Sequence, residues 1–197
     1  MIMTKDDEDD RVLVLNDVDE ESSASIIRDL FVFAQKDRKK PIYIIVNSYG
    51  GSVYEMFALY DAIQYVKSLG ITVYTMGIGK IMSSGVIVLV GGSVRKIGKN
   101  ATVMWHSGTD HISGDLEHFD NEINEFKRLE NLANEILSRH SKMTKLQIEK
   151  MISNRMQVYI DAKKAIEIGI ADDYLDIPSD LGKIVSAKAI PPKRAKK

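Results

Sequence analysis

The apolar run Ile42-Tyr43-Ile44-Ile45-Val46 leads within four residues into a glycine pair, Gly50-Gly51. An unbroken apolar run of this length marks a strand buried on both faces of a parallel sheet. The glycines supply the turn at its exit and let backbone N–H groups approach a ligand closely. Ser52-x-x-Glu55 is a capping-box pattern, and Met56, Leu59, Ile63 and Val66 follow at helical spacing. Gly70 stands where a helix C′ glycine belongs, and Ile71 to Met76 reads as the next strand. Strand, glycine turn, capped helix and strand form an α/β unit, so the chain is expected to build a layered α/β fold.

The rest of the chain extends that pattern. Arg11 to Leu15 reads as a short strand, and Asp17 to Ser25 offers several N-caps. Ile26, Ile27, Leu30, Phe31 and Ala34 then recur at helical spacing, and Lys36 to Lys40 is a charged loop. By propensity, Val86 to Val90 is a strand. Ser93 to Asn100 reads as a basic turn, and Ala101 to Trp105 as another strand. Gly114 to Arg139 is the longest helical segment, with Leu116, Phe119, Ile123, Phe126, Leu129, Ala133 and Ile136 as its apolar stripe. About 24 helical residues at ~1.5 Å each span roughly 36 Å, which is long for a small domain and predicts a protruding part. Thr144-x-x-Gln147 is a second capping box, opening a helix to about Arg155, and Asp161 caps a short helix ending at Gly169. Ile170 to Leu175 completes the core.

Composition excludes several classes. The 197 residues suit one domain, and the net charge of −1 gives no global attraction to nucleic acid or anionic membranes. Without cysteine there is neither a disulfide nor a thiolate metal site. No apolar run approaches the ~18 residues of a membrane span, and the acidic start, Met1 to Asp10, is unlike a signal peptide. A cytoplasmic protein is therefore expected. No metal motif is present: Asp6 to Asp10 lacks the glycine and terminal glutamate of a calcium loop. Residues 1–10 and the basic end 176–197 are expected to be flexible, flanking a domain over 11–175.

Gly79-Lys-Ile-Met-Ser83-Ser84-Gly85 and Val103-Met104-Trp105-His106 hold the remaining chemistry. A serine between small residues, a histidine closing a strand and a glycine loop are the parts of an acyl-transfer site. Taken singly, each has a plainer reading. Ser83 would be a helix N-cap, His106 a structural histidine, and Gly50-Gly51 a tight turn. His118 and His140 lie on helical faces and are expected to be solvated, and His111 has no comparable context.

Together, Asn47-Ser48-Tyr49-Gly50-Gly51-Ser52-Val53, Gly79-x-x-x-Ser83-x-Gly85, Val103-Met104-Trp105-His106 and Ala165 to Asp172 resemble the ClpP family, the proteolytic subunits of Clp proteases, in order and approximate spacing. The likeness covers roughly residues 11 to 175. It implies a ClpP/crotonase-like fold of stacked parallel strands with outer helices and a protruding handle helix. It also implies a buried helix starting at Ser83 or Ser84, where propensity alone reads a strand. Ser83 would be the nucleophile, with adjacent Ser84 as rival; the Ser83 register keeps both glycines in place. His106 would be the general base, about two residues closer to the serine than in the family. The backbone N–H groups of Gly50 and Ser84 would form the oxyanion hole.

Two positions depart from the family. Tyr49 replaces a proline, and Gln157 falls where the family places its triad aspartate. A register without the implied insertion would put Arg155 there, and Asn154 is a further possibility. An amide can orient a histidine ring but cannot supply the carboxylate's charge. The resemblance implies a serine endopeptidase subunit, without cofactor, that degrades unfolded polypeptides inside stacked heptameric rings, a homo-oligomeric tetradecamer. An AAA+ unfoldase of the Clp type would feed it. The alternatives are a catalytically weak or inactive structural subunit and, on the same fold, a crotonase-type acyl-CoA enzyme.

Overall fold

The computed structural model describes residues 11–108, 116–153 and 156–175, with the side chains of 116–119 outside that description. The expectations for segments 1–10 and 176–197, His111, Asn154, Arg155 and the side chains of Leu116, His118 and Phe119 lie outside the described residues.

The element order is β1 (Val12–Leu15), α1 (Glu20–Lys36), β2 (Ile42–Ser48), α2 (Val53–Ser68), β3 (Val73–Met82), α3 (Ser84–Gly91), β4 (Val94–Ile97), β5 (Thr102–Trp105), α4 (Leu116–His140), α5 (Lys145–Met151), β6 (Val158–Asp161), α6 (Ala162–Glu167) and β7 (Asp173–Tyr174). The sheet runs β1-β2-β3-β4-β7, all parallel, and β3 is its branch point. Tyr74 to Gly77 pair with β4, whereas Lys80 to Met82 pair with β5. That split aims the end of β3 and the end of β5 at one place. β6 closes the edge antiparallel to β5, with Trp105 opposite Val158.

The core lies between the sheet and the helices, with α3 at its centre. All eight α3 residues are buried, although four of them, Val86, Ile87, Val88 and Val90, are β-branched and favour a strand by propensity. Burial all round removes any amphipathic signal, and tertiary partners satisfy the helix end instead. Thr75 Oγ1 donates to Leu89 O at 2.6 Å, while Gln64 Nε2 and Lys67 Nζ donate to Gly91 O at 2.9 and 2.8 Å. These bonds occupy C-terminal carbonyls that a helix leaves open. The helix implied by the family resemblance is therefore the observed one, and the propensity reading is corrected.

Other local expectations change in ways the contacts explain. The basic turn over 93–100 contains β4. The Arg95 guanidinium is held there by Asp172 and the carbonyls of His140 and Gly169. Ser52 caps α2 by accepting from Glu55 N–H, but its own N–H donates to Val18 O at 2.8 Å, so that bond replaces the return half of the capping box. The Thr144/Gln147 box forms in full, and Asp161 caps α6. His140 is half-buried rather than solvated, its Nε2 2.7 Å from the Tyr60 hydroxyl. The α4 stripe is buried at Leu129, Ala133 and Ile136 but exposed at Ile123. Among the described side chains of this helix, the buried apolar ones lie in its C-terminal half.

Candidate active site

Ser83 lies between the end of β3 and the start of α3, with φ 51° and ψ −123°. A positive φ is unfavourable for a residue with a Cβ and persists only where the surroundings impose it. Here Ser83 N–H donates to Met104 O, and α3 begins at the next residue. The strand–strained turn–helix arrangement lifts the hydroxyl off the sheet, as in a nucleophile elbow. Ser83 occupies the N-cap position, yet its side chain makes no capping bond. Its Oγ lies 2.9 Å from His106 Nε2 instead. The plain N-cap reading fails on that geometry.

His106 follows β5, whose pairing with the end of β3 sets the distance. The preceding Trp105 anchors the strand to α4, its Nε1 donating to buried Asn134 Oδ1 at 3.2 Å. Ser84, the rival nucleophile, is buried, and its Oγ donates to Gly51 O at 2.9 Å. That bond ties the glycine loop to the start of α3. The packing is tight: a Cβ on Gly50 would lie 2.7 Å from Ser83 Cβ and 2.9 Å from Met82 O, and the Gly50 φ is +105°.

The loop donors divide differently from expectation. Gly50 N–H donates to buried Ser48 Oγ at 3.0 Å and is already engaged. Val18 bridges the loop through Gly50 O and Ser52 N–H, so the Gly51 N–H between them is left without an acceptor among the described residues. In the sequence the two adjacent glycines look alike, and only the bridge to Val18 separates them as donors. Ser84 N–H is a first-turn donor with no intrahelical acceptor. Tyr49, in place of the family's proline, is exposed with Lys80 Nζ 4.5 Å above its ring.

Gln157 stands apart from this constellation. The β5/β6 register ends at Trp105 opposite Val158, and one further step sets residue 157 across from 106. Its side chain is nevertheless exposed, and its Oε1 accepts from the Tyr159 hydroxyl at 3.0 Å. Asp161 and Asp172 are also occupied, the first as the α6 cap and the second with Arg95.

A cavity of about 290 Å³ opens beside Ser83 and His106. Val53, Met56, Phe126, Leu129 and Ala133 give it an apolar wall, and Glu130 adds one carboxylate. The α4 wall is tied to α2 by the Tyr54 hydroxyl, which donates to Glu125 Oε1 at 3.1 Å, and Arg128 holds the same carboxylate at 2.7 Å. Among the described residues no group of acidic, histidine or cysteine side chains could hold a metal ion.

Similarity to known proteins extends over most of the chain. The family model described as Clp protease matches residues 2–177, nearly the whole chain. The chain belongs to the Clp protease family. It is 27% identical over 176 residues to ATP-dependent Clp protease proteolytic subunit 2 of Treponema pallidum, covering 88% of this chain and 85% of that one. It is 32% identical over 152 residues to ATP-dependent Clp protease proteolytic subunit 1 of Rhodopirellula baltica, covering 76% of this chain and 65% of the other. The mixed α/β architecture with a mostly parallel sheet is that of this Clp protease family member, as its sequence implied.

Proposed function

We propose that this Clp protease family member is a serine endopeptidase subunit acting on unfolded polypeptide. The observation that carries the reading is the Ser83 hydroxyl, which leaves its helix uncapped and meets His106 Nε2 at 2.9 Å. In the proposed cycle, Ser83 Oγ attacks the scissile carbonyl while His106 Nε2 takes its proton and passes it to the leaving amine. The tetrahedral oxyanion is met by the N–H groups of Gly51 and Ser84, which replace the Gly50/Ser84 pair expected from sequence. Water then attacks the acyl-enzyme, again with His106 as base, and the acid product leaves with Ser83 restored.

Orientation of the His106 ring falls to Gln157, which reaches it only by leaving Tyr159. An amide there fixes the tautomer without stabilising the imidazolium, so a slow enzyme is expected. Subunits would form stacked heptameric rings in the cytoplasm, supplied with substrate by a Clp-type AAA+ unfoldase; the relatives are named as ATP-dependent Clp protease subunits. Hydrolysis of a fluorogenic peptide by the purified protein, lost in Ser83→Ala and His106→Ala, tests the reading. The exposed Gln157, bonded to Tyr159, favours a second one: a catalytically weak or inactive subunit with a structural role in the ring. Assembly without hydrolysis supports that second reading and overturns the first.

A further inference from the structure

Among the described residues, Glu130 is the one acidic side chain lining the cavity beside Ser83 and His106. It lies on α4, which also gives the cavity Phe126, Leu129 and Ala133, and it is half-buried. The Ser107 hydroxyl donates to its Oε1 and fixes the carboxylate. No lysine or arginine pairs with it among the described residues, although neighbouring Glu125 has Arg128 and Glu135 has Lys145. A positioned, half-buried carboxylate with no cationic partner among the described residues is electrostatically incomplete there. Val53, Met56 and Leu129 in the same cavity offer an apolar wall against which an aliphatic stem can lie.

From this combination we infer that Glu130 selects a basic residue, lysine or arginine, in the substrate side chain that enters the cavity next to the scissile bond. The methylene stem lies along the apolar wall, and the cationic head meets the Glu130 carboxylate in a charge-assisted hydrogen bond. An acidic side chain is excluded, because it would place two like charges in one partly dry cavity. This inference rests on the peptidase reading and adds the substrate class to it.

The test uses full-length protein and peptide coumarin amides that differ only in the residue before the scissile bond: lysine, leucine or glutamate. Glu130→Gln is near-isosteric and can still accept from Ser107, so the fold is retained. The wild type is expected to favour lysine over glutamate, and the lysine-to-leucine ratio of kcat/KM is expected to fall about 10-fold in Glu130→Gln, the worth of one charge-assisted bond. A ratio unchanged by the substitution overturns the inference, whatever the overall rate does; an equal loss on all three peptides would mean that Glu130 serves His106 instead.

A second arm measures binding of the same peptides, fluorescein-labelled, to Ser83→Ala protein by anisotropy. If the wild type cleaves none of them, the peptidase reading fails. A lysine preference in binding that Glu130→Gln removes would still uphold the cavity's selectivity. Equal binding of the lysine and glutamate peptides overturns it.

Discussion

The Ser83 hydroxyl lies 2.9 Å from His106 Nε2 and makes no bond to the helix that Ser83 precedes. A serine at a helix start ordinarily stabilises that helix by capping it. Here α3 gives up its cap, and Ser83 keeps a positive φ. Both are costs to stability, and such costs gather where a side chain is held for chemistry.

In the proposed cycle the third position sets the rate. Residue 157 is one step beyond the last β5/β6 pair, and continuing that register would set it across from His106. In Gln157→Asp a carboxylate at that place would compensate the imidazolium formed during attack. Peptide hydrolysis is expected to rise by at least about 10-fold, a fraction of the ~10⁴ that separates acid from amide in a well-studied triad. A rate at or below wild type would show that residue 157 does not reach the ring.

The glycine loop tolerates no side chain at its tightest point. In Gly50→Ala the new Cβ would press on Ser83 Cβ and Met82 O in a backbone with φ +105°. A loss of about 3 kcal/mol or more, together with peptidase activity, is expected in urea unfolding and hydrolysis assays. Gly70 has φ +84° but nothing within 4 Å of a Cβ. Gly70→Ala is therefore expected to cost only about 1 kcal/mol of backbone strain and to leave hydrolysis intact.

Asp172 links acid stability to β4. Burial pushes its carboxyl up, but the hydrogen bonds and charge of Arg95 outweigh burial and hold it below the usual carboxylate value. A group depressed in the fold contributes stability above its unfolded pKa, and that stability is lost as pH falls through the folded value. Asp172→Asn is expected to lose less thermal stability than wild type as pH falls below about 4. Parallel curves for the two proteins would contradict the coupling.

His140 titrates in a different window. Burial, and then the charges of Lys67, Arg95 and Arg139, push it down from 6.5 to about 4. The unfolded chain binds this proton first, so stability falls as pH drops from 6.5 towards 4 and levels below that. After a discount for solvent screening at a half-exposed ring, the loss is about 1–2 kcal/mol. In His140→Gln the slope between pH 4 and 6.5 is expected to flatten, as read from urea midpoints. An unchanged slope would assign it to other groups.

Much of this was legible in the chain, because local chemistry and tertiary demand agree there. Ile42 to Val46, the Gly50-Gly51 turn and the Thr144/Gln147 box each form as the residues suggest. Ser83 and His106 were placed by resemblance and are brought together by the branch in β3. What stayed hidden depends on partners distant in sequence. Val86 to Val90 becomes helix because every face is buried and its end carbonyls are met from α2 and β3. β4 hides behind Arg95 and Lys96, whose charges are paired only when Asp172 and Asp173 arrive 77 residues later. The distinction between Gly50 and Gly51 as donors depends on Ser48 and Val18, and no spacing rule encodes it.

The measurement that bears most directly on the central claim is fluorophosphonate labelling of the folded, full-length protein, with the modified residue mapped by mass spectrometry. The expected result is a single adduct on Ser83, absent in Ser83→Ala and in His106→Ala and retained in Ser84→Ala. An adduct on Ser84, or no adduct in protein shown to be folded and assembled, would contradict the assignment of Ser83 as a nucleophile activated by His106.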